Sequence, residues 1–455
     1  MLGCQSQHQQ APKVAVLGLG ITGLATVNFL LAEGYQVTVF DTRDTPPGEN
    51  KLKPQVTLIK GALCGKSLSA FPLIISSPGI ALATPAIQEA IENSCEVIGD
   101  IELFARTLKT APYQHAKCVT ITGSNGKSTV TSLLGEMAKA DGVNVAVGGN
   151  IGIPALDLLS PTVSLYILEL SSFQLETTNS LNADIATILN LSEDHLDRYD
   201  SYQHYIDTKH RIYQQAKMAL FNSDDVHTFP RNKSLISKSF GFEEADYYIQ
   251  KGDNQVNFLA KDQQTLLDVK QLKLSGKHNW LNAIATLALG DAVGISMSAM
   301  LATLTTYTGL SHRCEFVAEH AGVRWINDSK ATNIGATQVA LQGLSETISG
   351  KVHLILGGQG KGADFHDLSA VLQEIKGCIC CFGADAMKIN QANPNTLIVS
   401  DLKAAILEIA QKVDTGDLVI LSPACASLDM YPNFMARGED FRNLVNAHIL
   451  GKANG

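Results

Sequence analysis

Short apolar runs rich in Val and Ile recur along the chain, separated by longer stretches whose apolar residues return with helical spacing. Strands joined by crossover helices leave this pattern, because a parallel sheet is covered on both faces. The predicted strands include Lys13–Leu17, Gln36–Phe40, Leu73–Ser76, Cys118–Ile121, Leu165–Leu168, Ala186–Leu189, Val352–Leu356 and Leu418–Leu421. Most end in Gly, Ser, Asp, Glu or Asn, residues suited to ligand contact at the carboxyl edge of an open sheet. Between Tyr247 and Leu274 the period shortens to alternation around Gly252 and Asp262, which predicts an antiparallel excursion. The expected class is therefore α/β.

Length turns that class into an architecture. At 455 residues the chain exceeds what one core serves, and a prior of roughly 150 residues per domain suggests about three domains. Polar stretches at Thr107–His115, which holds Pro112, and at Thr308–Ser311 are the natural breaks. They give expected domains of residues 1–108, 109–309 and 310–455. The apolar fraction of 45% and charged fraction of 17% supply enough material for a core in each.

A net charge of -9 argues against broad attraction to nucleic acid or anionic membranes, so an anionic ligand must be met by local positive groups. The opening residues to Pro12 are polar, and the apolar stretch Val14–Leu31 is broken by Gly18, Gly20 and Gly23, unlike a signal or spanning segment. Nine cysteines are scattered; the cluster Cys378, Cys380 and Cys381 lacks paired metal-ligand spacing and reads as buried thiols. A reduced, cytoplasmic chain is expected.

The strongest chemical signal is Val119-Thr-Ile-Thr-Gly-Ser-Asn-Gly-Lys-Ser-Thr129, a strand, a glycine turn and a helix start. Gly123 and Gly126 let backbone amides approach phosphate oxygens, flanking Ser124 and Asn125. Lys127 adds charge, Ser128 offers a hydroxyl to Mg²⁺, and Thr129 opens the helix. Ile121 occupies the position of the first glycine in the longer phosphate-loop spacing, so the match is a shortened form. A plain strand-to-helix turn is the alternative, but it leaves the lysine unexplained.

Gly18-Leu-Gly-Ile-Thr-Gly23 also follows a strand and opens a helix, and Asp41 ends the next strand. That fits a dinucleotide fingerprint, another diphosphate nucleotide held at the same helix terminus, or a turn that binds nothing. Glu169 ends a strand, and Glu193-Asp-His-Leu-Asp197 follows another. Either can hold Mg²⁺ against a nucleotide, with His195 as a further ligand; helix caps and solvated loop charges are the plain alternatives. In the last third, Trp325-Ile-Asn-Asp-Ser-Lys-Ala-Thr-Asn333, Gly357-Gly-Gln-Gly-Lys361 and Ser422-Pro-Ala-Cys-Ala-Ser-Leu428 each follow an apolar strand. Lys330, Thr332, Lys361 and Ser427 suit a small carboxylate-bearing substrate, although Gly, Ser and Asn favour ordinary turns as well.

Together these motifs, with Ser77-Pro-Gly-Ile80, Gly148-Gly-Asn-Ile-Gly152, Leu168-Glu-Leu-Ser-Ser-Phe-Gln174 and Glu193 to Tyr199, closely resemble the Mur ligases nearly end to end. The resemblance implies Rossmann-like first and last domains around a central P-loop ATPase-like domain. It turns the first glycine turn into a UDP site, with Ile21, Thr22, Asp41, Thr42 and Gly79 at matching positions. Asn150 and His195 match positions near the substrate phosphates and reacting carboxylate. The ATP and Mg²⁺ positions match Gly123 to Thr129 and Glu169, and Lys209 matches a lysine carried as a carbamate metal ligand. Read without the family, Lys209 is a surface lysine on a helix around Tyr205 to Ala216. Asn279, Asn282, Arg313 and Asp328 match nucleotide contacts, and Arg313, Lys330, Thr332, Lys361, Ser427, Leu428 and Phe434 match the amino-acid site. Gln359 departs from the family pattern, which has an acid there.

The resemblance favours the members that join D-glutamate to UDP-N-acetylmuramoyl-L-alanine in peptidoglycan precursor synthesis, acting as monomers with ATP and Mg²⁺. The acceptor carboxylate would attack the γ-phosphate, and the D-glutamate amine would then displace phosphate from the acyl phosphate. A sister ligase taking another amino acid, a folate polyglutamate synthetase and an NAD-dependent oxidoreductase are the competing readings.

Overall fold

The computed structural model describes residues 11–195, 198–252, 256–274, 276–345 and 350–451. Asp197 of the acidic cluster and the polar opening before Ala11 lie outside them. The chain forms two compact units, Met1–Asp268 with Leu281–Thr303, and Val269–Trp280 with Leu304–Gly455. The first carries two sheets and the second carries one.

The first sheet has five parallel strands in the order Thr57–Lys60, Gln36–Asp41, Lys13–Leu17, Leu73–Ser76, Glu96–Gly99. Its first strand is central, so the chain winds outward in both directions and leaves a crevice where the order reverses. The strands alternate between two cores: Val14, Val16, Val39 and Ile75 face one, and Ala15, Leu17, Phe40 and Ile74 face the other. Burial on both faces is why this stretch reads as continuous apolar runs.

The second sheet has nine strands, ordered Gln264–Asp268, Asn257–Lys261, Tyr247–Lys251, Ile236–Gly241, Met218–Asn222, Ile185–Ile188, Lys117–Thr122, Leu165–Glu169, Val145–Gly149. Lys117–Thr122 lies between Ile185–Ile188 and Leu165–Glu169, fully sheltered, and its carboxyl end carries the phosphate-loop motif. The alternation from Tyr247 produces the antiparallel strands at one edge. Their second hairpin turns at Asp262 and Gln263, both with positive φ, as the right-handed twist of paired strands demands. Elements of the two sheets pack together: Glu102, on helix Asp100–Leu108, accepts the amides of Asn179 and Ser180 at 2.7 and 2.8 Å.

The third sheet is ordered Glu315–His320, Val323–Asn327, Leu418–Leu421, Val352–Gly357, Ile379–Phe382, Leu397–Ile398, with only the first pair antiparallel. Cys380 and Cys381 point into opposite cores, one with Trp325, Val419 and Phe441, the other with Ile326, Leu354 and Ile420. The expectation of three buried thiols needs correction. Cys378 precedes the strand rather than lying within it, and is only half-buried.

Candidate active site

The phosphate-loop motif folds as its residue types require. Helix Lys127–Ala140 starts directly after Gly126, whose φ of 83° is left-handed, and a Cβ there would lie 2.5 Å from the Asn282 side-chain oxygen. Glycine is therefore needed twice over, for conformation and for close approach. Asn190 pins the turn: its side-chain oxygen accepts the Asn125 amide at 2.8 Å, its amide donates to the Asn125 carbonyl at 3.0 Å, and its own carbonyl accepts the Ser124 amide at 2.9 Å. The Ser124 hydroxyl is turned inward against Tyr205 and Ser192, so this residue shapes the loop. Anion-binding capacity is left to the start of the helix at Lys127, Ser128 and Thr129, where amides have no carbonyl within the helix. Lys127 arches back so that Nζ donates to the carbonyls of Gly123 and Ser124 at 2.8 Å each.

Lys209 overturns the residue-level expectation. It sits on helix Tyr202–His210, capped by Ser201, but its side chain points inward and is 2% exposed. Nζ donates to Thr122 Oγ1 at 3.1 Å and to the Gly123 carbonyl at 2.9 Å, beneath the phosphate loop. Burial, and then the charge of Lys127, hold its ammonium well below the ordinary lysine range. A buried lysine of lowered basicity at the base of a phosphate loop is what the sequence alone does not announce.

Glu169 ends strand Leu165–Glu169, is buried, and accepts from the Asn150 side-chain amide at 2.7 Å. The Asn150 backbone donates to the Glu169 carbonyl at 2.8 Å, a close approach that Gly149 permits with φ 99°. His195 lies on a loop with φ 55°, partly exposed, its Nε2 3.6 Å from Asp194 and its ring 4.7 Å from that of Phe173.

At the first sheet the loop Gly18–Gly23 is equally tight: a Cβ at Gly23 would lie 1.9 Å from the Gly18 carbonyl. Asp41 is buried and already occupied. Its Oδ2 accepts the Leu19 amide at 2.7 Å and Arg43 Nη2 at 2.6 Å, and its Oδ1 accepts Arg43 Nε at 2.8 Å, so its carboxyl is lowered to about 2, chiefly by Arg43. Ile21 is 77% exposed at the helix start, an apolar platform beside the turn, with Thr42 and Gly79 also exposed. Thr22 is the second residue of the same helix, its carbonyl accepting from the Thr26 hydroxyl. Arg198 joins this site to the acidic motif: Nη1 and Nη2 donate to the carbonyls of Pro78 and Ile80, and Nη2 pairs with Glu176 at 2.7 Å. Sequence reasoning assigned Arg198 no role.

In the second unit, Asp328 is buried, accepts the Cys314 amide and the Ser422 hydroxyl, and is raised to about 6 by burial. Lys330 Nζ lies 4.1 Å from the centre of the Phe434 ring, Ser427 is buried, and Leu428 and Lys361 are exposed. The Thr332 amide turns back to the Lys330 carbonyl at 2.8 Å, and the Arg313 amide donates to the Leu310 carbonyl. The Asn279 amide donates to the Gly276 carbonyl. Gln359 is exposed and joins the Ser422–Leu428 loop by backbone pairing with Ala426, so its side chain is free of a scaffolding task.

The residue missed here is Arg437. Fully buried on helix Phe434–Val445, it donates to the Ser329 hydroxyl and to the carbonyls of Ser329, Gly357 and Cys425. One guanidinium thus ties together the carboxyl-end segments of three different strands, and burial lowers it to about 10. An arginine well after the last motif, with no local pattern around it, carries no signal in sequence for this role.

Three α/β domains, with a phosphate loop on the second sheet and a glycine turn on the first, define a nucleotide-using enzyme. The Mur ligase MurD-like N-terminal domain matches residues 12–99, the Mur ligase middle domain residues 121–290, and the Mur ligase glutamate ligase domain residues 312–425. The chain belongs to the Mur ligase family. It is 48% identical to a UDP-N-acetylmuramoylalanine--D-glutamate ligase of Aliivibrio fischeri (strain MJ11) and 50% identical to that of Escherichia coli (strain K12). Each match covers 96% of this chain and 98% of the relative. The solved MurF ligase from Thermotoga maritima in complex with ADP shares the fold at TM-score 0.62 and 16% identity, over 97% of this chain and 96% of that one. Among the described residues no helix is long and apolar enough to cross a membrane.

Proposed function

We propose that the chain joins D-glutamate to UDP-N-acetylmuramoyl-L-alanine at the expense of ATP, in the cytoplasm, as a step of peptidoglycan precursor synthesis. The convergence of Lys127, Lys209 and Glu169 around one phosphate loop supports the phosphoryl-transfer chemistry. The relatives that are about half identical over 96% of the chain support the choice of acceptor and amino acid. The working domains are residues 1–108 for the UDP moiety, 109–309 for ATP and 310–455 for D-glutamate.

The acceptor carboxylate attacks the γ-phosphate of ATP, forming an acyl phosphate and releasing ADP. Lys127 and the amides of the helix start meet the charge that spreads over the transferring group, a task in which positioning and electrostatics dominate. The D-glutamate amine then attacks the acyl carbon, and phosphate leaves. Lys330 and Lys361 pair with the amino-acid carboxylates, while Ser427 supplies a hydroxyl. The donor set of Ser128 and Glu169 is oxygen-rich and fits a hard cation, and His195 is read as a further ligand. Mg²⁺ bound there would supply charge neutralisation to the phosphates.

Lys209 is read as a carbamate in the active enzyme. Its amine in the neutral form attacks CO₂ and gives up a proton to leave an anionic oxygen donor; burial favours the neutral, nucleophilic amine, and a hard cation beside it would offset the charge of the carbamate. The test of the whole reading is an amino-acid panel with UDP-N-acetylmuramoyl-L-alanine as acceptor, following ADP release. Release with D-glutamate alone is expected; equal release with L-glutamate, L-alanine or a diamino acid overturns the assignment.

A further inference from the structure

The cluster Cys378, Cys380 and Lys412 is untouched by the chemistry above. Cys378 Sγ lies 3.8 Å from Cys380 Sγ and 3.7 Å from Lys412 Nζ, and Lys412 is itself held by Glu408 at 2.8 Å. The two thiols differ in access. Cys380 is buried within strand Ile379–Phe382, paired to Ile355 and Leu397, whereas Cys378 is half-exposed just before that strand begins. Its amide donates to His353 Nδ1 at 3.0 Å, and His353 Nε2 meets Asp417 at 2.9 Å, so a buried network fixes the backbone beneath an accessible sulfur.

We infer that Cys378 is a thiol–disulfide exchange site for low-molecular-weight disulfides such as glutathione disulfide, with Cys380 as its resolving partner. The Cys378 thiolate attacks one sulfur of the disulfide, the S–S bond breaks, and one glutathione leaves as thiolate. Cys380 then attacks the Cys378 sulfur and releases the second glutathione, which takes up the Cys380 proton. Two protein thiols are oxidised to a Cys378–Cys380 disulfide while one glutathione disulfide is reduced to two thiols. The Cys380 S–H and the Lys412 ammonium both favour negative charge on Cys378, whose thiol is lowered from its ordinary value while that of Cys380 is raised.

Among the described residues Cys64 is the exposed competing thiol, so the experiment uses the full chain and its Cys64→Ser variant, with peptide mapping of every cysteine. Each is incubated with glutathione disulfide at neutral pH and followed by intact mass and peptide mapping. The expected course is one glutathionyl group on Cys378, then its loss as two hydrogens fewer remain on the Cys378–Cys380 peptide. Cys380→Ser should stop at the glutathionylated Cys378. Because a buried substitution can disturb the fold, exposed Lys412→Gln gives a second reading. It should slow Cys378 modification several-fold at neutral pH, with the difference vanishing at high pH where the thiol ionises without help. Modification of Cys64 while Cys378 stays free, failure of Cys380→Ser to accumulate the mixed disulfide, or an unchanged pH profile in Lys412→Gln would each overturn the inference.

Discussion

Two glycine turns in the first unit share one backbone plan and differ in charge. Each follows a central strand of a parallel sheet and leads into a helix, at Ile21 in one case and Lys127 in the other. Around the first turn the nearest ionised group is a carboxylate, Asp41, which takes the Leu19 amide and binds Arg43. Around the second the basic groups are lysines, Lys127 above the loop and Lys209, its basicity lowered by burial, beneath it. A turn with an acid at its side and an apolar Ile21 at its rim suits a nucleoside and its ribose hydroxyls. A turn between two lysines suits transferable phosphate. Backbone geometry makes room for a diphosphate in both, and the neighbouring side chains divide the labour.

The comparison breaks most sharply at Lys127. Lys127→Ala should lower ADP release on the order of a hundredfold or more, as loss of a transition-state charge partner does, while calorimetry still detects binding of the UDP-linked acceptor. Loss of acceptor binding would mean that the two turns are not separate sites. Lys209→Arg keeps a positive charge but cannot form a carbamate, so ligation should fall by a similar or somewhat smaller factor. The ¹³C carbamate resonance produced by labelled bicarbonate should vanish with it. A fully active Lys209→Arg enzyme would remove Lys209 from the chemistry.

A smaller effect is expected on the other side. Asp41→Ala leaves the Leu19 amide buried without its acceptor and releases Arg43, which should weaken acceptor binding by roughly 1–3 kcal/mol and leave the KM for ATP unchanged. An equal change in both would show that Asp41 supports the whole unit rather than its own turn. The smallest effect concerns the packing between the two sheets, where Asp100 is buried and accepts from Gln174 at 3.4 Å. Burial raises its carboxyl from 3.8 to about 6, so the folded chain holds that proton more tightly than the unfolded chain. Its contribution to stability is therefore full below 3.8 and is lost as pH rises through about 6. Asp100→Asn should raise the thermal midpoint relative to the parent above that range, with the gap closing toward 3.8. A gap that widens on acidification would reverse the assigned sign.

Much of this was legible in the chain because it is local. The runs at Val14, Val119, Leu165 and Leu418 are apolar enough to be strands of a covered sheet wherever they sit, and Gly126 before Lys127 specifies a left-handed turn into a helix within a few residues. The alternation after Tyr247 likewise specifies an antiparallel edge, because side chains on a strand repeat every second residue. Motif order identified the family for the same reason: each piece is short and contiguous.

Tertiary structure alone decided which charges lose water. Lys209 lies on a helix whose sequence looks solvated, and only its packing beneath the phosphate loop strips it of water and lowers its basicity. Arg437 and Arg198 gather carbonyls from segments far away in sequence, so nothing beside them foretells the role. Cys378 and Cys380 are two residues apart, yet their contrast in exposure and the approach of Lys412 come from where the strand begins and where the turn after helix Leu402–Ala410 falls. Sequence encodes backbone preference and apolar period over a few residues, whereas solvation and proton affinity depend on everything within a few ångströms, and the chain assembles that neighbourhood only by folding.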